Sequence, residues 1–189
     1  MRWGAPDESH PGVSVGCDNY QGGQRITDHL IALGKTSFAF IGDNGDHAPE
    51  FKARFNGYFD ALTMHNIGNK SVQRDAISTE DAGAKAVQSL LQSNELPQAI
   101  VCASDLIAMG VLRALRQAQI SVPDDVAVVG YDNIAVSAYT TPSLTTVQQN
   151  TKLAGELLVS TLLKAINNEE VQDFLMPADI VVRQSCGSE

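Results

Sequence analysis

The amino-acid sequence predicts a doubly wound α/β fold built on parallel strands. Three observations carry that reading. Short, continuously apolar runs at 38–41, 99–103 and 126–129 read as strands buried on both faces. Segments of helical period alternate with them, which is the order of βαβ units with right-handed crossovers. Gly34, Gly42, Gly68 and Gly130 fall at the junctions, where a helix or strand must end.

Each element follows from its residues. Val13-Ser14-Val15 reads as a first short strand, after two prolines. Residues 20–33 read as a helix with Ile26, Leu30 and Leu33 on one face. Strand 38–41 follows, and then a helix over 50–66 with Phe51, Phe55, Tyr58, Phe59 and Leu62 on a stripe. A short strand near 71–74 leads to a helix over 79–92, through Ala82, Ala86, Leu90 and Leu91. After strand 99–103, Ser104 is placed to cap a helix over 105–118, which ends before Ile120 and Pro123. Strand 126–129 comes next. Beyond it, 144–149 reads as extended, 150–166 as an amphipathic helix through Leu153, Leu157, Leu162 and Ile166, and 180–182 as a final strand.

Composition excludes several function classes. The chain has 189 residues, 43% hydrophobic and 19% charged, enough for a sizeable core without staples. Thirteen basic and 22 acidic residues leave a net charge of −9, which argues against this chain itself holding nucleic acid or an anionic membrane. Three cysteines without CxxC spacing suit neither a disulfide framework nor a zinc site, and point to a reducing, cytoplasmic compartment. No apolar run approaches the ~20 residues that span a bilayer. The first twelve residues are polar and rich in turn formers, without a signal peptide or a full element, and read as an internal start. His10, His29, His47 and His65 have no metal spacing. No nucleophile elbow and no G-x-G-x-x-G loop occurs, so no cofactor, metal or catalysis is expected.

In open α/β sheets ligands bind beyond the carboxyl ends of the strands. That rule selects Gly42-Asp43-Asn44-Gly45 after the first strand, with Arg54 close by, and Ser104-Asp105 after the second. It also selects Gly130-Tyr131-Asp132-Asn133 and Gln148-Gln149-Asn150. Carboxylates, amides and one arginine suit hydroxyl-rich small molecules. Simpler readings stand beside these. Asp132 would nucleate a turn, Ser104 would only cap its helix, and Arg54 would be a solvated or ion-paired side chain.

Several segments together resemble the LacI/GalR family of bacterial transcription regulators. They are Asp18-Asn19-Tyr20-Gln21-Gly22-Gly23, His29-Leu30-Ile31-Ala32-Leu33-Gly34, Phe38-Ala39-Phe40-Ile41-Gly42 and Arg54-Phe55-Asn56-Gly57-Tyr58. Ser104-Asp105-Leu106-Ile107-Ala108-Met109-Gly110 and the run from Val122 to Asn133 follow. Pro142-Ser143-Leu144-Thr145-Thr146-Val147-Gln148-Gln149 and Val181-Val182-Arg183-Gln184-Ser185 complete the series, in order over about residues 13–186. The resemblance implies a periplasmic-binding-protein-like type I fold, with two α/β subdomains and an effector bound between them. It implies that 38–148 and 171–186 form the DNA-distal subdomain, and that 13–35 and 150–167 form part of the DNA-proximal one. It places no counterpart here for the family's helix-turn-helix, so it implies a region truncated at the N-terminus.

The resemblance also implies ligand-binding roles for Arg54, Asp132, Ser104, Gln149 and Asp18. Ala76-Ile77-Ser78 stands where many members carry an aromatic ring. The expected function is therefore the effector-sensing, dimerising and non-catalytic region of a regulator for a sugar-like or purine-like ligand. Its expected partners are the small-molecule effector, a second copy of the chain, and operator DNA through a head not among these residues, with no membrane. The alternative is a periplasmic-type solute-binding protein of a sugar transport system.

Overall fold

The computed structural model describes residues 1–4, 12–68 and 71–188, and it divides the strands between two sheets. The larger has six strands in the order β4 (Ser71–Arg74), β3 (Phe38–Ile41), β5 (Ala99–Cys102), β6 (Ala127–Asp132), β7 (Thr145–Gln148), β9 (Asp179–Val181). The first five run parallel. The edge strand β9 is antiparallel to β7, pairing Val147 with Ile180. The smaller sheet has three parallel strands in the order β1 (Arg2–Trp3), β2 (Ser14–Cys17), β8 (Phe174–Met176).

The apolar runs become central strands. Every residue of β3 and β5 is buried, as are Ala127 to Tyr131 of β6. Strands buried on both faces need helices on both faces. Helix α1 (Asn19–Ala32) packs on α2 (Pro49–Met64), and α3 (Glu80–Gln92) packs on α4 (Asp105–Gln117). The β3-to-β4 step and the β4-to-β5 step run in opposite directions along the sheet. Right-handed crossovers therefore put α2 on one face and α3 and α4 on the other.

The caps are those the sequence offers. Asp18, Thr79, Ser104 and Asn150 each accept a backbone N–H in the first turn of α1, α3, α4 and α5 (Thr151–Ile166). Doubly wound, mainly parallel architecture is thus borne out, with one antiparallel edge.

Three expectations need correction. Residues 1–12 read as lacking a full element, yet Arg2 and Trp3 pair with Ser14 and Val15. Two residues are too few to carry a periodic signal. Strand β8 lies outside every predicted element and belongs to the small sheet, so the stretch 171–186 is divided between the two sheets. Helix α1, assigned by resemblance with the small unit, instead packs on α2 and touches β5, β7 and β9. Its apolar face, Ile26 and Leu30, is fully buried there. Helix α5, read as amphipathic, forms as expected and buries only Ala154. It touches β1 and β2 and leaves most of its apolar residues open.

Candidate functional site

The carboxyl ends of β3, β5, β6 and β7 lie along one edge of the large sheet, and six side chains meet there. Arg54, one turn into α2, is buried to 4% exposure. A buried guanidinium must have its donors satisfied. Its Nε donates to Asn19 Oδ1 at 2.8 Å, and its Nη1 donates to the Ala103 carbonyl at 2.5 Å. The guanidinium carbon lies 3.7 Å from the centroid of the Tyr131 ring and 5.2 Å from that of Phe51. Nη1 stands 3.5 Å from Asp132 Oδ1. Gln149 Nε2 donates to the same carboxylate oxygen at 2.5 Å.

These residues converge because of local chain geometry. Strand β6 runs past Gly130 to Asp132, further than 126–129, so Gly130 is a strand residue and not a turn. A Cβ there would collide with Asp105 Oδ1 and press on Leu144. Asp105 is itself fully buried at the start of α4. It accepts from Thr146 Oγ1 at 2.6 Å and from the Ile134 backbone N–H at 2.9 Å.

Burial shapes the electrostatics. It pushes the Asp105 carboxyl up to about 6, against the hydrogen bonds from Thr146 and Ile134, and the neighbouring Asp132 charge adds to the rise. Burial also raises Asp132, with Arg54 and Gln149 opposing. At the mouth the Gly45 backbone N–H, and after it His47, hold Asp43 below the usual carboxylate range.

The site opens into a cavity of about 410 Å³ lined by Asp43, His47, Ala48, Glu50, Phe51, Arg54, Ile77, Ser78 and Asp132. It has an apolar wall (Phe51, Ile77) and a polar floor (Arg54, Asp132), the make-up of a small-molecule site. Ile77, two-thirds exposed, stands on the wall where the resemblance implied a ring, and Phe51 supplies an aromatic face. An adjoining groove of about 480 Å³ shares Asp43 and Ile77 and runs along Arg74 and α3.

The remaining expected residues fall in different places. Gln149 reaches the site through Asp132. Ser104 is buried behind Ser78, with the two hydroxyls 2.7 Å apart, and it caps α4. Asp18 caps α1, accepting from the Gln21 N–H at 2.9 Å, and is not among the residues lining the cavity. The sequence reading missed Asn19, Tyr131 and Phe51 as the supports of Arg54. An arginine inside an apolar helical stripe was the available signal, because such a side chain needs acceptors and flat partners. Among the described residues no group of three or more His, Cys, Asp or Glu side chains could hold a metal. No helix among them is long and apolar enough to cross a membrane. His10 lies outside the described residues.

Comparison with known proteins adds the following. Residues 27–186 match the model of the periplasmic binding protein-like domain family. The chain is 32% identical to the HTH-type transcriptional repressor PurR of Aliivibrio salmonicida, over 98% of this chain and 56% of the repressor. It therefore spans little more than half the length of such curated relatives. A crystal structure of a protein from Actinobacillus succinogenes superposes with a TM-score of 0.87 at 35% identity, covering 96% of this chain and 67% of that one. A LacI family transcriptional regulator from Enterococcus faecium, solved with bound ribose, superposes with a TM-score of 0.85 at 27% identity, covering 92% and 65%.

Proposed function

The chain belongs to the periplasmic binding protein-like domain family, in line with its resemblance to LacI/GalR effector regions, and from that premise we propose that it is the effector-binding region of a cytoplasmic transcription regulator. The observation that carries this reading is the convergence of Arg54 and Asp132 on one cavity, with Gln149 hydrogen-bonded to the Asp132 carboxylate. A planar donor beside a carboxylate holds a pair of neighbouring hydroxyls, since one group donates and the other accepts. The ligand class is a neutral, hydroxyl-bearing molecule of sugar or nucleoside size, with one face against Phe51 and Ile77. The region does no chemistry. Ligand binding shifts the balance between two arrangements of the small and large sheets by binding one of them better. Operator binding and pairing with a second copy belong to the whole regulator. Relatedness to a repressor favours this role over solute transport.

Isothermal titration of the chain with ribose, other neutral sugars and purine nucleosides tests the proposal. The expected result is saturable binding by at least one of them, weakened tenfold or more in Asp132→Asn and in Arg54→Met. Absence of binding across the panel, or binding indifferent to both substitutions, overturns it.

A further inference from the structure

The turn that carries Asp132 has an unusual backbone. Asp132 has φ 112° and Asn133 has φ 53°, two consecutive residues with positive φ at the end of β6. Asparagine tolerates the left-handed region, but an aspartate at 112° lies beyond it, where a Cβ is disfavoured. Such a conformation persists only when its surroundings fix it.

The surroundings here are specific. The Asn133 N–H donates to Thr146 Oγ1 at 3.3 Å, and the Asn133 side-chain oxygen accepts from Arg183 Nη2 at 2.7 Å. The other arm of the same guanidinium, Nη1, donates to the Leu144 carbonyl at 2.7 Å and to Ser137 Oγ at 3.3 Å. Arg183 thus forks between the turn after β6 and the residue before β7. Its own backbone N–H donates to Thr145 Oγ1 at 2.8 Å, which fixes the root of the fork.

We propose that Arg183 is a positioning residue for the ligand site, holding Asn133 so that the adjoining Asp132 carboxylate is presented to Arg54 and the cavity. The inference rests on the reading of Asp132 as a ligand-facing group. Arg183 acts through Asn133, and neither residue is among those lining the cavity. Thr146 and Asp105 also brace this turn and Arg54 faces the Asp132 carboxylate, but Arg183 is the charged, two-armed donor that holds Asn133. A lysine keeps the charge and cannot make both contacts in one plane.

The carboxyl titration of Asp132, followed by carboxyl carbon NMR on the whole chain, tests the role in Arg183→Ala, Arg183→Lys and Asn133→Ala. In the wild type burial dominates and holds Asp132 above an ordinary aspartate. Release of the turn lets the carboxylate into water, so its midpoint falls towards that of an ordinary aspartate in all three variants. Mere removal of a positive charge has the opposite sign, because it raises a carboxyl midpoint. A midpoint that rises in Arg183→Ala, or stays put in Arg183→Lys and Asn133→Ala, overturns the proposal. Thermal melting of each variant reports folding. If Arg183→Ala does not fold, the other two decide. None of these readings uses a ligand, so a failure of the clamp is separate from a failure of the effector-binding proposal.

Discussion

The Arg54 guanidinium lies flat against Tyr131, 3.7 Å from the ring centroid, while its Nη1 faces Asp132, the next residue of the same strand. One arginine therefore touches two consecutive residues of β6, one through its face and one through its edge. Tyr131 is in turn locked by α1, since a Cβ on Gly22 would strike its hydroxyl. The Arg54 side chain thus ties β6 to α1 through Tyr131, Asp132 and Asn19.

Arg54→Ala is expected to destabilise the chain by about 3 kcal/mol, because Asn19 Oδ1, the Ala103 carbonyl and Asp132 all lose a buried donor. Arg54→Lys keeps the charge and loses the Nε bond and the stack, and is expected to cost about half as much. Urea unfolding measures both. Equal stability of the Arg54→Lys variant and the wild type would show that shape contributes nothing there.

Gly57→Ala is expected to destabilise by about 2 kcal/mol or more, whereas the same change on an exposed helix stabilises by up to about 1 kcal/mol. A Cβ on Gly57 would meet the Tyr20 carbonyl, and one on Gly23 would meet the Arg54 carbonyl. The two glycines let α1 and α2 approach backbone to backbone, and that approach brings Asn19 within reach of Arg54. Chemical denaturation gives the sign, and a stabilised variant would refute the close-packing account.

Much of this was legible in the sequence, for a physical reason. Strands such as 38–41 and 99–102 are buried on both faces, so they must be apolar throughout, and the helices between them must carry a 3.6-residue stripe. Asp132 and Arg54 could be paired because each follows a strand of the same sheet. What was not legible depends on contacts between distant residues. Helix α1 has an apolar face whichever sheet it covers, and periodicity does not say which. Strand β8 is three residues long and follows a polar stretch, so nothing local marks it. Ser104 satisfies the same sequence pattern as a cap or as a ligand group, and only the position of Ser78 in front of it separates the two. Asn133 and Arg183 are 50 residues apart.

Asp105 is expected to give the stability a pH dependence with a definite sign. Its folded carboxyl titrates at about 6 against 3.8 for the ordinary group. The fold therefore favours the protonated form. This stabilising contribution is complete below about pH 4 and is lost as the pH rises through about 6, a change on the order of 3 kcal/mol. Asp105→Asn stays neutral throughout. It still accepts from Thr146 but gives up one of the two acceptors, so at about pH 4 it is expected to be the less stable protein by about 1 kcal/mol or more. Between about pH 4 and about pH 7 that deficit should shrink or reverse. Unfolding free energies that run parallel for the two proteins over this range would rule out a buried, high-titrating Asp105.

The 189-residue chain on its own is expected to self-associate through α5. Val159, Leu162, Leu163 and Ile166 recur at three- and four-residue steps, so they form one stripe, and each is about half exposed or more. Phe174 and Leu175 of β8 are also exposed, and Phe174 shares with Leu157 of α5 a groove of about 430 Å³. Ala154 is the only residue of the helix that is buried, so the stripe is not used in the chain's own core. An open apolar patch of this kind exceeds what scattered surface residues contribute, and covering it is favourable by roughly 25 cal/mol per Å². Light scattering coupled to size exclusion should give a mass above 20.2 kDa at tens of micromolar chain. Leu162→Lys with Ile166→Lys should return the mass to that of one chain. It should leave the melting temperature almost unchanged, since neither side chain supports the core. A wild-type chain that elutes as a uniform 20.2 kDa species would show that the stripe is tolerated in water.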